Sequence, residues 1–136
     1  MAANNTPLEE EEQAALVEWL ELKKLKFTSI PNATFSWAYQ NIDGVTVKKK
    51  NFTHLAKMYR QGLRKGFPDL VVWIAADQAE CREACIVFIE LKRLKGSEVK
   101  PEQEEWIDCL EQVPWCTARI CFGKMDAINF ISSFLA

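Results

Sequence analysis

Apolar residues recur from Leu8 to Leu25 at Leu8, Ala15, Leu16, Trp19, Leu20 and Leu22 among acidic neighbours, the spacing of one helical face. Lys23, Lys24 and Lys26 follow where a helix dipole favours cations. Phe27 to Ile30 is a short β-rich run stopped by Pro31 and Asn32. Phe35, Trp37, Tyr39, Asn41 to Gly44, Val45 and Val47 then form a hairpin or an irregular excursion. Asn51 or Thr53 can cap a short helix through His54, Leu55, Met58 and Tyr59 that Gly62 ends. From Gly66 the pattern changes. A Gly66-Phe67-Pro68-Asp69 turn leads into Leu70 to Ile74, a continuous apolar run expected to be a strand buried on both faces. After a polar connection from Asp77 to Glu83, Cys85 to Lys92 reads as a second strand, apolar at first and charged at its end, paired to the one before. Pro101 suits the first position of a helix whose Trp106, Ile107, Cys109 and Leu110 form the buried side. Ala118 to Phe122 is a further strand, and Gly123 leads into a last helix with Ala127, Ile128, Ile131 and Phe134. The expectation is a mixed α/β fold with helices flanking a small sheet.

A length of 136 residues suits one domain, 1–136, with 33–58 as an excursion within it. With 49% hydrophobic and 26% charged residues, the composition is that of an ordinary globular protein and excludes disordered or low-complexity classes. The longest apolar stretches, Leu70 to Ala76 and Ala84 to Ile89, fall far short of the roughly 20 residues that span a bilayer. The acidic N-terminus does not resemble a signal peptide, so a soluble, intracellular, cytoplasmic protein is expected. Cys81, Cys85, Cys109, Cys116 and Cys121 form an odd set at irregular spacings, which predicts reduced thiols. Cys81 and Cys85 lie four apart, but no second Cys/His pair follows at zinc-ligand spacing and His54 is the sole histidine, which speaks against zinc.

The net charge of −2 conceals a segregation of sign. Residues 1–21 carry Glu9, Glu10, Glu11, Glu12, Glu18 and Glu21 with no base, whereas residues 48–65 carry Lys48, Lys49, Lys50, Lys57, Arg60, Arg64 and Lys65 with no acid. The basic stretch suits a polyanion held by salt-dependent contacts; its bland alternative is a solvated helix face and hairpin.

Asp69, Glu90 and Lys92 interrupt the two most apolar segments of the chain. Strand residues two apart share a face, so Glu90 and Lys92 point one way and Leu91 the other. If Asp69 pairs alongside, two carboxylates and an ammonium converge. Adjacent carboxylates repel unless a cation lies between them, and an oxygen-ligand site with open water positions is what Mg²⁺ prefers. Lys92 would then orient or help deprotonate an attacking water, or neutralise charge on the transition state. The structural alternative is a pair of strand-end carboxylates with a surface salt bridge. The order Pro68-Asp69, then Glu90-Leu91-Lys92 after a strand-length gap, is the signature of the PD-(D/E)XK nucleases.

More of the chain resembles one branch of that superfamily, the stand-alone, phage-type VRR-NUC domains (virus-type replication-repair nucleases). The matching pieces are Glu9 and Gln13 with Leu16 and Trp19-Leu20; Ile30-Pro31-Asn32; Gly62 to Leu70; Ile89 to Lys92; and Pro101-Glu102-Gln103 with Trp106 and Leu110. The excursion from Ala33 to Met58 matches least. The resemblance implies a restriction-endonuclease-like core in which Asp69 and Glu90 bind Mg²⁺, with Mn²⁺ as a substitute, and Lys92 is the catalytic lysine. It places Gln103 beside the site, toward the attacking water or the DNA backbone. It also implies a first-helix acid four residues before Gln13, hence Glu9 as a third metal ligand, with Glu12 as the fallback. Glu10 and Glu11 are explained by the helix dipole alone.

Phe35, Trp37 and Tyr39 adjoin the basic segment and are expected in the hairpin or core rather than stacked on bases. His54 is expected to be a partly buried structural residue, and Trp19, Trp73, Trp106 and Trp115 to be core residues. The leading functional expectation is a metal-dependent DNA endonuclease acting on branches, flaps or Holliday-type junctions in replication, recombination or repair, from a viral or bacterial source. Paired cuts in a symmetric junction require two sites about a two-fold axis, hence a homodimer. The alternatives are a catalytically silent nucleic-acid-binding module of the same fold, and a sequence-specific restriction-type enzyme.

Overall fold

The computed structural model describes residues 6–31 and 36–136, without the side chains of Ser36 and Trp37. Phe35 lies outside the described residues. The chain divides into two compact units, Met1–Pro31 with Gly66–Ala136, and Asn32–Lys65.

In the first unit the helix α1 (Glu9–Leu22) opens on four glutamates, which complement the positive end of its dipole. The Leu8 N–H donates to Glu11 Oε2 at 2.7 Å, satisfying one of the donors a helix start leaves unpaired. Glu12, Leu16 and Leu20 form its buried stripe. The helix stops at Leu22, which is 81% exposed, and Lys24 adopts a left-handed φ of 57°, so the expected run to Leu25 is cut short. Lys23, Lys24 and Lys26 consequently fall beyond the last helical turn, and Lys26 opens the strand β1 (Lys26–Ser29).

The strands β4 (Leu70–Ile74), β5 (Cys85–Lys92) and β6 (Cys116–Phe122), with β1, make a four-stranded sheet in the order β1-β4-β5-β6. Only the β5/β6 pair is parallel. One face of the sheet carries Leu70, Val72, Ile74, Val87, Ile89, Leu91 and Cys121, all buried against Leu16 and Leu20 of α1 and Ala127 and Ile131 of α4 (Lys124–Ser132). Each large aliphatic side chain sealed in this layer stabilises the fold by about 1.5–3 kcal/mol. The other face receives α3 (Pro101–Glu111), where Phe67 packs edge-on against both Phe88 of β5 and Trp106. Three expectations are corrected here. Trp73 is 45% exposed, so β4 is sealed on one face only; Trp115 is 58% exposed rather than in the core; and Cys109 lies on the solvent side of α3. All five cysteines are free thiols, and burial pushes Cys121 up to about 12.

The second unit holds a hairpin, β2 (Ser36–Ile42) and β3 (Val45–Asn51), joined by Asp43 and Gly44. Both turn residues have positive φ, 50° and 79°, the conformation that matches the twist of a two-residue hairpin. In α2 (Thr53–Arg60) the Asn51 side chain accepts the Thr53 N–H at 3.0 Å. His54 is exposed, which corrects the expectation of partial burial, because α2 turns Leu55 rather than His54 inward. Among the described residues no helix is long and apolar enough to cross a membrane.

Candidate active site

The antiparallel register that sets Leu70 opposite Ile89 brings Asp69, one residue before β4, beside Glu90. Asp69 is held from two sides. Its carbonyl accepts the Ile30 N–H at 2.8 Å, and its Oδ2 accepts the Leu91 N–H at 3.1 Å. Leu91 stands between Glu90 and Lys92, so the strand that supplies two charged side chains also clamps the third. Alternation sends Leu91 into the core at 1% exposure and turns Glu90 and Lys92 toward α3. Asp69, Glu90 and Lys92 are 4%, 3% and 7% exposed, a degree of burial that charged groups sustain only through partners.

Those partners are specific. Lys92 Nζ stands 3.6 Å from Glu90 Oε1. Gln103 Nε2 donates to the same oxygen at 2.6 Å, while Gln103 Oε1 accepts the Lys100 N–H at 2.9 Å. One side chain thus caps the start of α3 and fixes a carboxylate on β5. The close approach of Gly66 sets α3 in place: a Cβ there would stand 2.6 Å from the Glu102 carbonyl carbon. Glu90 Oε2 is buried without a hydrogen-bond donor. Burial, then the charge of Asp69, pushes the Glu90 carboxyl up to about 8 against the pull of Lys92, and the charge of Glu9 adds to the rise.

Glu9 is half-buried, and its carboxyl is raised by burial first and by Asp69 second, with Lys92 opposing. The first turn of α1 therefore reaches the same charged group. Arg93 holds it there, donating from Nε to the Pro7 carbonyl at 3.2 Å and from Nη2 to the Thr6 carbonyl at 3.0 Å. Glu12 is committed elsewhere: its Oε2 accepts the Lys124 N–H at 2.5 Å and so caps α4. Arg93 was invisible to sequence reasoning, since one arginine after a strand carries no pattern and its partners are main-chain carbonyls.

Among the described residues no three His, Cys, Asp or Glu side chains form a ready-made metal cage. The donors present are a carboxylate pair with one unsatisfied buried oxygen, and Glu9 beside it. That set fits Mg²⁺, which takes one or two protein carboxylates and keeps several waters, better than a metal demanding full protein ligation. Lys48, Lys49, Lys50, Lys57, Arg60, Arg64 and Lys65 are all exposed and all lie in the second unit. Arg64 Nη1 donates to the carbonyls of Tyr59 and Leu63.

An aspartate before one strand and a Glu-x-Lys at the end of its antiparallel neighbour, on a mixed sheet with helices on both faces, are the marks of a PD-(D/E)XK-type nuclease. The VRR-NUC domain model matches residues 8–124, and the chain belongs to that family of nucleases. A solved structure described as a VRR_NUC domain protein is similar in fold, with a TM-score of 0.64 at 22% identity over 94% of this chain and 88% of that one. No curated protein matches the chain.

Proposed function

We propose that this nuclease is a metal-dependent endonuclease that hydrolyses phosphodiester bonds of DNA and prefers branched, Holliday-type structures. The observation that carries the reading is the buried Asp69–Glu90 pair, with its donorless Glu90 Oε2, beside the Lys92 ammonium. Two carboxylates facing a polyanion weaken a mere binding surface, so their burial together implies chemistry that needs them.

Asp69 and Glu90 would hold the cation, with Glu9 as a further oxygen ligand. A divalent ion there, Mg²⁺ or Mn²⁺, supplies Lewis acidity that acidifies an attacking water and offsets charge on the phosphate. The chain does the rest by positioning. The Leu91 N–H keeps the Asp69 carboxylate in place, and Gln103 fixes Glu90 Oε1. Among the described residues Lys92 carries the one ammonium of this buried group, and its N–H groups would hydrogen-bond and orient the incoming water or a non-bridging phosphate oxygen. As the water oxygen bonds to phosphorus it releases a proton to solvent, the opposite P–O bond breaks, and the departing oxygen takes up a proton from solvent. The exposed lysines and arginines of the second unit would engage the sugar-phosphate backbone, contacts that position DNA without reading its sequence. Paired cuts across a symmetric junction require two such sites, and we propose that the enzyme acts as a homodimer.

The test is cleavage of labelled four-way junction, flap, single-stranded and duplex DNA in Mg²⁺, Mn²⁺ or EDTA, comparing wild type with Asp69→Asn and Lys92→Ala. We expect metal-dependent cutting, fastest on the junction, reduced at least about 100-fold in each variant while DNA binding persists. Intact junction binding without cutting by wild type in either metal would make the chain a silent binding module instead.

A further inference from the structure

The turn from Val113 to Cys116 closes with the Cys116 N–H on the Val113 carbonyl at 3.1 Å, and its third residue, Trp115, has a φ of +61°. With Pro114 second, this is a place where glycine is the favoured occupant, since a left-handed backbone crowds any Cβ. Trp115 is nevertheless there, pinned by its carbonyl accepting the Ile86 N–H at 2.9 Å, and it is 58% exposed. Neither the turn nor burial within the chain accounts for a tryptophan at this position.

Its surroundings explain what it could meet. A groove of about 400 Å³ runs from Trp115 and Val113 across Ile86 to Trp73, and not one of its lining residues is charged. A second groove of about 270 Å³ adjoins it at Trp73 and Ile86, beside Val71, with Lys26 as its one charged lining residue. Trp73 and Val113 are 45% and 51% exposed. Such a surface offers a polyanion almost nothing to hold, which separates it from the basic unit. It does suit a second copy of the same chain. Two-fold pairing lays a patch against itself, so a charged patch would meet its own charge, whereas this one is neutral and carries both a projecting indole and a groove to receive one. The exposed parts of Trp73, Trp115 and Val113 offer roughly 300 Å² of apolar area, enough for the dry centre of an interface of about 800 Å² per partner.

We propose that this sheet face, centred on Trp73 and Trp115, is where two copies of the chain pair about a two-fold axis. The assignment rests on the homodimer proposed above. Sedimentation equilibrium from nanomolar to high micromolar concentration compares wild type with Trp115→Gly, a change that gives the turn its favoured residue and so keeps the fold, and with Trp73→Ser/Trp115→Gly. The expected result is a wild-type dimer whose dissociation constant rises at least about 30-fold in Trp115→Gly and further in the double variant, with unchanged circular dichroism. A dimer equally tight in both variants overturns this face while leaving the homodimer intact. A wild type that stays monomeric at every concentration overturns both.

Discussion

Glu90 carries a cost that the rest of the fold must outweigh. Its carboxyl, near 4.5 in an unfolded chain, rises to about 8 because burial and Asp69 both disfavour its charge. Between those values the folded protein binds a proton that the unfolded chain has released, so in the absence of metal the folded state loses stability as pH climbs from about 4.5 through 8. Thermal melts in EDTA across that window should show a falling Tm, and Glu90→Gln should flatten the fall. A wild-type profile as flat as the variant's would remove the carboxylate repulsion from the account. Adding Mg²⁺ should raise Tm more at pH 8.5 than at pH 6, because a cation at this pair replaces the proton. The convergence of these residues was legible in the chain. Strand alternation alone sends Glu90 and Lys92 to one face and Leu91 to the other. The distance from Asp69 to Glu90 needed only the assumption that neighbouring strands pair.

At the scale of the element, three of the four glutamates that open α1 take up different tasks. Glu11 reaches back to the Leu8 N–H, Glu12 caps α4, and Glu9 stands by Asp69 and Lys92. Glu12→Ala should cost about 1–2 kcal/mol in chemical denaturation with cleavage by the folded enzyme largely kept. Glu9→Ala should do the reverse, leaving stability near wild type and slowing cleavage. Matching effects from the two variants would contradict this division. The Gly66 contact makes a second prediction. Gly66→Ala adds a Cβ at 2.6 Å from the Glu102 backbone, at a φ of 87°, and should destabilise the protein by more than about 1 kcal/mol on the same measurement. An unchanged midpoint would mean that α3 yields freely. Element ends were less legible than element cores. The apolar repeat runs to Leu25, yet the helix ends at Leu22 because Lys24 takes a left-handed φ and the chain turns into β1.

Over the whole molecule the acidic and basic halves of the sequence become two different instruments, a buried carboxylate site in one compact unit and an exposed basic surface in the other. If the second unit grips phosphates, replacing Lys48, Lys49 and Lys50 with alanine should reduce the slope of log affinity against log salt by about 2–3 and weaken junction and duplex binding alike. An unaltered slope would assign the grip elsewhere. The sequence by itself determined the order of elements, the core stripe of Leu16 and Leu20, the Asp-Glu-Lys constellation and the family that shares it, because periodicity and strand parity are properties of neighbouring residues. Tertiary structure alone decided that Trp73 and Trp115 face outward while Trp106 packs on Phe67, and that Arg93 ties the chain before α1 to the end of β5. It also committed Glu12, the fallback to Glu9 in the sequence, to the start of α4. Each of those outcomes depends on which surfaces of distant elements meet, and an apolar or acidic residue looks the same in the chain whichever neighbour it finds.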